Sequence, residues 1–216
     1  MPTVTLDRVV TARGELVLRA SGGHHEVISN GVFLMDTRAG ESERLLVRAA
    51  LGAAPDGAAL LIGGLGVGFS LAEAAASAKP ARIVVVEIEP ALVGWHRTHL
   101  APFSAGALDD PRVEVVTADL LPWLRATGDR FGAICLDIDN GPDWTVFDGN
   151  AALYDDSGLA LLRARLAPGG VVAVWSANAA PRYAERLAAA IGPVRTYPVP
   201  VPRGEPDVVY LAGPLP

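Results

Sequence analysis

The stretch Leu60-Leu61-Ile62-Gly63-Gly64-Leu65-Gly66-Val67-Gly68-Phe69-Ser70 is an apolar run that ends in four glycines across six positions. An Ala-rich segment, Leu71 to Ala78, follows it directly. The pattern predicts a buried parallel strand, a tight glycine-rich turn and a helix, which together bring backbone N–H groups close to a bound polar ligand. The last three glycines have the spacing G-x-G-x-G, with Phe69 where the dinucleotide pattern G-x-G-x-x-G has its last glycine.

The composition of the 216-residue chain is that of a compact globular protein with a sizeable core. Hydrophobic residues make up 50% of the chain and charged residues 19%, below the usual share of about 25%. The net charge of -6 and the scattered arginines argue against a nucleic-acid partner, which needs a basic patch.

The sequence also predicts a location and a redox state. No apolar run approaches the roughly 20 residues of a membrane span, so no membrane partner is expected. The start, residues 1–8, lacks the layout of a secretion signal. A single cysteine, Cys135, has no partner for an internal disulfide, so we expect a cytoplasmic protein with Cys135 buried in a strand.

The first part of the chain, residues 4–36, reads as two β-hairpins. The second hairpin turns at Ser29-Asn30-Gly31, and Asn-Gly is a strong hairpin signal. A helix is predicted from Glu41 to Leu51. We therefore divide the chain into an N-terminal β-hairpin region plus helix, residues 1–52, and a ligand-binding domain, residues 53–216. Strand pairing between N-terminal regions favours a homodimer.

From residue 60 onward, strands and helices alternate. This pattern predicts an α/β fold with a doubly wound, mostly parallel seven-stranded sheet, Rossmann-like, behind the small N-terminal β region. Pro168-Gly169-Gly170 is predicted to turn a helix into a strand. The last two extended runs, Val194 to Val201 and Asp207 to Ala212, are joined by five residues and are expected to pair antiparallel. Ligands of such sheets lie beyond the carboxyl ends of the strands.

Two acids at those strand ends suit a nucleoside. Glu87 lies 19 residues after Gly68, where a carboxylate accepts hydrogen bonds from both hydroxyls of a ribose; the alternative is a solvated strand-end acid. Asp119 follows the next strand. It suits either the exocyclic amine of an adenine or the N-cap of the short helix that carries Leu120 and Leu121.

Two further acids, Asp137 and Asp139, follow the strand that begins at Phe131. They suit binding or deprotonating an amine, or facing a sulfonium cation. If the strand continues, alternation places both on one side; the alternative is turn chemistry in Asp-Asn-Gly-Pro. Trp144 and Phe147, in the long loop that follows, are predicted to roof the pocket.

The histidines predict no metal site. His96 and His99 are spaced like two ligands on a helix, but no third ligand accompanies them. We interpret them as surface or helix-end histidines.

The remaining motifs occur in a recognisable order. They are Val86-Glu87-Ile88-Glu89-Pro90, Asp110-Pro111-Arg112-Val113, Asp119, Leu136-Asp137, Leu153-Tyr154, Leu166-Ala167-Pro168-Gly169-Gly170 and Val199-Pro200-Val201-Pro202. With the glycine-rich turn, this order resembles the spermidine synthase (polyamine aminopropyltransferase) family, a branch of the class I S-adenosylmethionine-dependent methyltransferase fold. The resemblance covers nearly the whole chain. It implies that Glu87 holds the ribose, Asp119 the adenine, and Asp137 the amine acceptor as catalytic base.

The chain departs from the family's motifs at four places. The family's G-G-G-D-G-G has an acid where this chain has Gly66. The D-E-x-x-Y-H-E pattern is reduced to Gly40-Glu41-Ser42-Glu43-Arg44, without its tyrosine or histidine. The second acid after the strand is Asp139, not residue 140, and Pro206-Asp207-Val208 replaces a W-G-F-like segment.

The loss of the acid at Gly66 bears on the donor. Intact S-adenosylmethionine carries an α-carboxylate, which an acid would repel and free N–H groups would bind. Decarboxylated S-adenosylmethionine lacks that group. The sequence therefore predicts a donor site at Gly63, Gly64, Gly66 and Gly68, and favours the intact donor.

Our leading hypothesis from sequence is methyl transfer from S-adenosylmethionine to a small-molecule amine or hydroxyl, without a metal. Asp137 is the predicted base or acceptor anchor, and Asp139 supports it. The alternatives are aminopropyl transfer from decarboxylated S-adenosylmethionine, a nicotinamide-dependent dehydrogenase, and a non-catalytic nucleoside-binding or scaffold protein.

Overall fold

The computed structural model of the chain describes residues 2–145, 147–202 and 204–215. The strands are β1 Val4–Thr11, β2 Gly14–Ser21, β3 His24–Ser29, β4 Val32–Asp36, β5 Ala59–Gly63, β6 Arg82–Glu87, β7 Val113–Thr117, β8 Phe131–Leu136, β9 Leu166–Ser176, β10 Val194–Val199 and β11 Asp207–Ala212. The α-helices are α1 Glu41–Ala53, α2 Phe69–Ala76, α3 Pro90–Trp95, α4 Leu120–Ala126, α5 Ala151–Tyr154, α6 Asp156–Arg165 and α7 Pro181–Ala190. Two 3₁₀ turns lie at Ala107–Asp109 and Asp148–Asn150.

The predicted fold class is confirmed. In the described residues, β5 to β11 form a seven-stranded sheet, the large sheet, in the order β10-β11-β9-β8-β5-β6-β7. Pairing is parallel from β7 to β9, and β11 joins β9 antiparallel. The last two strands pair antiparallel as predicted. Arg203, between them, and Val146, in the long loop, lie outside the described residues.

The N-terminal hairpins form a separate antiparallel sheet, the small sheet, in the order β1-β2-β3-β4. Leu16, Leu18 and Val27 from its strands pack with Leu92 and Trp95 of α3. This apolar contact attaches the small sheet beside the strand ends of β6.

Both faces of the large sheet are covered, which explains why its inner strands are apolar along their whole length. On one face α4, α6 and α7 pack against β5, β6, β8 and β9. On the other face lie α1 and α2, with Leu46 and Val47 of α1 fully buried. The division of the chain at residue 52 stays a prediction; α1, assigned to the first unit, packs on the large sheet.

One local expectation was wrong. The tripeptide Pro168-Gly169-Gly170 lies inside β9, not in a turn before it, because the pairing with β8 shifts register there as a bulge. The helix before β9, α6, is itself preceded by the separate short helix α5. α3 ends at Trp95, and tight turns continue the chain. Cys135 is fully buried, as expected.

Within the part of the chain that the structure describes, no helix is both long and apolar enough to cross a membrane.

Candidate nucleoside and acceptor site

The candidate site lies where the strand order of the large sheet reverses. The first strand, β5, has β6 on one side and β8 on the other, so the turns after β5 and β8 leave the sheet side by side. The N–H of Asp137 donates to the Gly63 carbonyl at 2.9 Å, and the N–H of Gly64 donates to the Val86 carbonyl at 2.9 Å. The three strands thus end at one level, where ligands of open α/β sheets bind.

Gly64 is required at this junction for two reasons. Its φ is 89°, in the left-handed region that favours glycine. A Cβ at this position would lie 2.2 Å from the carbonyl oxygen of Asp137. The close approach of the two turns therefore depends on the missing side chain.

Gly64→Ala is expected to lower the free energy of unfolding by about 3 kcal/mol or more, because strain at positive φ adds to a backbone clash. Chemical denaturation of the variant measures this. Gly52→Ala is the matched control, because Gly52 lies in α1 with nothing within 4 Å of an added Cβ. It should be neutral or stabilising. Equal stability of the two variants would contradict the required close approach.

Gly66 is different, because a side chain has room there. A Cβ would meet only the Met35 sulfur at 3.8 Å, although φ is 52°.

The Gly66 carbonyl oxygen lies 2.9 Å from Nε2 of His96, which is 3% exposed. Burial lowers the pKa of His96, so the ring is neutral and Nε2–H donates. His96 is not a surface residue, and it fixes the orientation of the peptide between Gly66 and Val67.

Glu87 ends β6 and is held rigidly. Its Oε2 accepts from the N–H of Leu65 at 2.8 Å, and its Oε1 accepts from the N–H of Glu89 at 2.7 Å. Burial raises the pKa of this carboxyl, while the two backbone donors oppose the rise. The carboxylate is thereby tied to the glycine-rich turn, and Glu87 also lines the cleft.

Asp119 is the N-cap that its sequence suggested as one alternative, and it also lies at the cleft. Its side chain accepts from the N–H of Leu121 at 3.0 Å, so it is the N-cap of α4. Asp119 also lines the cleft, beside Ala118, Leu120 and Val86. The apolar neighbours form a surface suited to a flat ring.

Asp137 lies near the carboxyl group of Glu43, a residue that the sequence did not identify as part of the site. Its Oδ2 accepts from Ser70 Oγ at 2.6 Å, and Ser70 Oγ also lies 3.3 Å from the Glu43 carbonyl oxygen. Burial raises the pKa of Asp137. Burial, with Asp137 as the second cause, raises the pKa of Glu43. The only sequence signal for Glu43 was the glutamate left in the reduced motif of residues 40–44.

Asp139 lines the same cleft but does not continue the strand. β8 ends at Leu136, and Asp139 has φ 58°, so strand alternation does not apply to it. Of the two loop aromatics, Phe147 lines the cleft. Trp144 is 60% exposed and lies outside the lining.

The cleft that joins these residues has a volume of about 1060 Å³ including its open mouth. Six carboxylic acids line it: Glu43, Glu87, Glu89, Asp119, Asp137 and Asp139. No Lys, Arg or His belongs to its described lining. Among the described residues, no group of three or more His, Cys, Asp or Glu is arranged to hold a metal ion.

Comparison with known proteins places this geometry in a family. Residues 42–191 match the spermine/spermidine synthase domain. Polyamine aminopropyltransferase 2 of Pseudomonas aeruginosa is 37% identical over 134 residues, which cover 60% of this chain and 36% of that protein. Polyamine aminopropyltransferase of Corynebacterium efficiens is 40% identical over 101 residues, covering 45% of this chain and 19% of that protein. The chain thus matches about a third or less of these relatives' length.

Two solved structures share the fold. A spermidine synthase in complex with the transition-state analogue AdoDATO superposes with a TM-score of 0.81 at 17% identity, covering 96% of this chain and 73% of that one. Spermidine synthase from Thermotoga maritima gives a TM-score of 0.78 at 16% identity, covering 96% and 71%.

Proposed function

The chain belongs to the spermine/spermidine synthase family, and from this premise we propose that it transfers an aminopropyl group from decarboxylated S-adenosylmethionine to a small amine. The observation that carries the proposal is the charge of the cleft: six acids line it, of which Glu89 is paired with Arg13 at 2.7 Å, and no basic side chain belongs to its described lining. The named relatives, both polyamine aminopropyltransferases, support the same reaction. Aminopropyl transfer therefore replaces methyl transfer, which was our leading hypothesis from sequence.

The charge of the cleft matches the proposed substrates. Decarboxylated S-adenosylmethionine carries a sulfonium and an ammonium group, and an amine acceptor is a cation near neutral pH. Carboxylates attract both, and the low dielectric of a partly buried cleft strengthens the attraction. Intact S-adenosylmethionine would bring a further carboxylate into this acid-lined cleft, whose described lining has no cation to pair with it.

In this proposal each site residue has one role. Glu87 accepts hydrogen bonds from the ribose hydroxyls, and Asp119 contacts the adenine. The turn of Gly63, Gly64, Gly66 and Gly68 lets the donor approach the backbone. Asp137 takes a proton from the acceptor amine, and Asp139 helps to hold that amine. Orientation of the nitrogen against the donor carbon supplies much of the remaining rate enhancement.

Methyl transfer is the second candidate, because one observation favours it. Gly66 replaces the family's acid, and the space at its Cβ is open. The donor's tail therefore meets backbone there instead of a carboxylate, which suits an α-carboxylate. Donor preference decides between the two candidates.

Decarboxylated S-adenosylmethionine is expected to bind at least about tenfold more tightly than the intact donor, because the extra carboxylate costs more than about 1.4 kcal/mol in this cleft. A thermal-shift panel with both donors, methylthioadenosine and NAD measures the preference, since ligands of the native state raise its melting temperature. Tighter binding of intact S-adenosylmethionine would reject aminopropyl transfer.

Gly66→Asp and Gly66→Asn form the matched pair for this test. Both side chains tolerate left-handed backbone and have nearly the same shape, so strain affects them equally. The aspartate variant should widen the preference for the decarboxylated donor, and the asparagine variant should not. Equal preferences in the two variants would show that position 66 does not face the donor's tail.

A further inference from the structure

Two of the chain's departures from the family motifs contact each other. Ser42 stands in the reduced motif at the start of α1, and Asp207 replaces part of the closing segment at the start of β11. They are 165 positions apart, yet Ser42 Oγ lies 2.7 Å from Asp207 Oδ2. The two changes therefore form one structural feature.

Ser42 Oγ also lies 2.8 Å from Glu43 Oε2. A serine hydroxyl has one hydrogen, which it donates to one acceptor at a time. With two carboxyl oxygens at hydrogen-bonding distance, both contacts are full hydrogen bonds only when one of the two carboxyls holds a proton and donates it to Oγ. Ser42 is 4% exposed, so water does not readily supply that hydrogen. The arrangement is a carboxyl–hydroxyl–carboxyl chain with one shared proton.

The two ends of this chain lie in different surroundings. Glu43 lines the cleft together with Asp137. Asp207 is only partly buried and does not belong to the described lining of the cleft. The Ser42 hydroxyl therefore connects a carboxyl inside the site with a carboxyl outside it.

We propose that Glu43, Ser42 and Asp207 form a proton relay that carries the proton released by the acceptor amine from the cleft to the protein surface. The inference rests on the proposed aminopropyl transfer. In that reaction the neutral amine nitrogen forms a bond to the propyl carbon, the C–S bond breaks, and its electron pair stays on sulfur as a thioether. The nitrogen gives up one proton, which Asp137 takes and passes to Glu43, whose side chain lines the same cleft. Ser42 then donates its hydrogen to Asp207 while it accepts one from Glu43.

The groups around Glu43 support transfer in this direction. Asp137 approaches from the end of β8 with Ser70 of α2 bonded to it, and Asp207 approaches from β11. Burial and the charge of Asp137 raise the pKa of Glu43, and burial raises that of Asp207. Because the pKa is raised at both ends of the chain, either carboxyl can hold the proton closer to neutral pH than an ordinary carboxyl does.

The test uses Ser42→Ala and Asp207→Asn, which move the pKa of Glu43 in opposite directions. Ser42→Ala removes a hydrogen bond that lowers this pKa, so the pKa should rise; Asp207→Asn removes a charge that raises it, so the pKa should fall. Carboxyl-labelled ¹³C NMR titration of the free protein measures both shifts. Ser157→Ala, at another helix start where the serine contacts the Asp155 carboxylate, is the matched control and should leave Glu43 unchanged.

The kinetic expectation is that both variants lower the pH-independent plateau of kcat about tenfold to a hundredfold with KM unchanged, and that Ser42→Thr restores it. A network that only tunes the pKa of Glu43 would shift the pH profile and leave the plateau intact, and that result would overturn the relay. If the wild-type protein turns over no amine, the proposed reaction is wrong. The NMR titration still tests the contact of Glu43 with Ser42 and Asp207, and unchanged Glu43 titrations in both variants would overturn that contact and with it the relay.

Discussion

Glu87→Ala is expected to weaken binding of the nucleoside donor by about a hundredfold or more. The alanine removes the two charge-assisted hydrogen bonds that we propose Glu87 accepts from the ribose, each worth about 1.5–3 kcal/mol. It also removes the partner of the Leu65 and Glu89 N–H groups, which lie at 2.8 and 2.7 Å from the carboxylate. The glycine-rich turn thereby loses the contact that holds it against β6.

Isothermal titration with methylthioadenosine measures this effect, because that ligand has the ribose and adenine but no charged tail. Glu114→Ala is the control, since Glu114 is an exposed acid on the neighbouring strand β7 and should bind the ligand like the wild type. Each melting temperature is recorded without ligand, so lost folding is separated from lost binding. Wild-type affinity in folded Glu87→Ala would remove Glu87 from the ribose site.

Asp137→Asn is expected to reduce kcat for amine transfer by about 10²- to 10⁴-fold while donor binding stays close to wild type. Asparagine accepts the hydrogen bond from Ser70 but takes no proton from the acceptor. The reduction should therefore appear in kcat at saturating donor and amine. Asp109→Asn, at an exposed acid in a 3₁₀ turn, is the control and should be fully active.

The same variant should be more stable than the wild type above neutral pH. Burial raises the folded-state pKa of Asp137, so its contribution to stability is complete below the ordinary carboxyl pKa of about 4 and is lost as the pH rises through the folded value. Asparagine stays neutral and escapes that loss. The difference in melting temperature, variant minus wild type, should grow between about pH 4 and pH 8.

These two variants together also test the non-catalytic alternative. If Asp137→Asn keeps all measurable activity while Glu87→Ala abolishes nucleoside binding, the protein binds the nucleoside but Asp137 is not its base. If neither wild type nor variant transfers a group from either donor to any amine or hydroxyl, while the wild type binds the nucleoside, the result favours a binding or scaffold protein.

The sequence alone was enough to predict the α/β fold and the edge at which the site lies. Apolar runs followed by glycine or acid identify parallel strands and their carboxyl ends, and the winding of such a sheet brings those ends together whatever the details of packing. Glu87, Asp119 and Asp137 could therefore be assigned to one cleft from local pattern only. The winding of the sheet also explains the glycine at position 64. The turns after neighbouring parallel strands run so close together that they leave no room for a side chain there.

Only the tertiary structure revealed Glu43 as a cleft residue, the bond from His96 to Gly66, and the contact between Ser42 and Asp207. Each depends on how a helix or turn docks on the large sheet, and no local pattern encodes that angle. The docking of α1 is set by the close packing of Leu46 and Val47 against the sheet. Ser42 and Asp207 are 165 positions apart in the sequence but are in contact in the structure. They meet because the close-packed core fixes the start of α1 beside the first residue of β11.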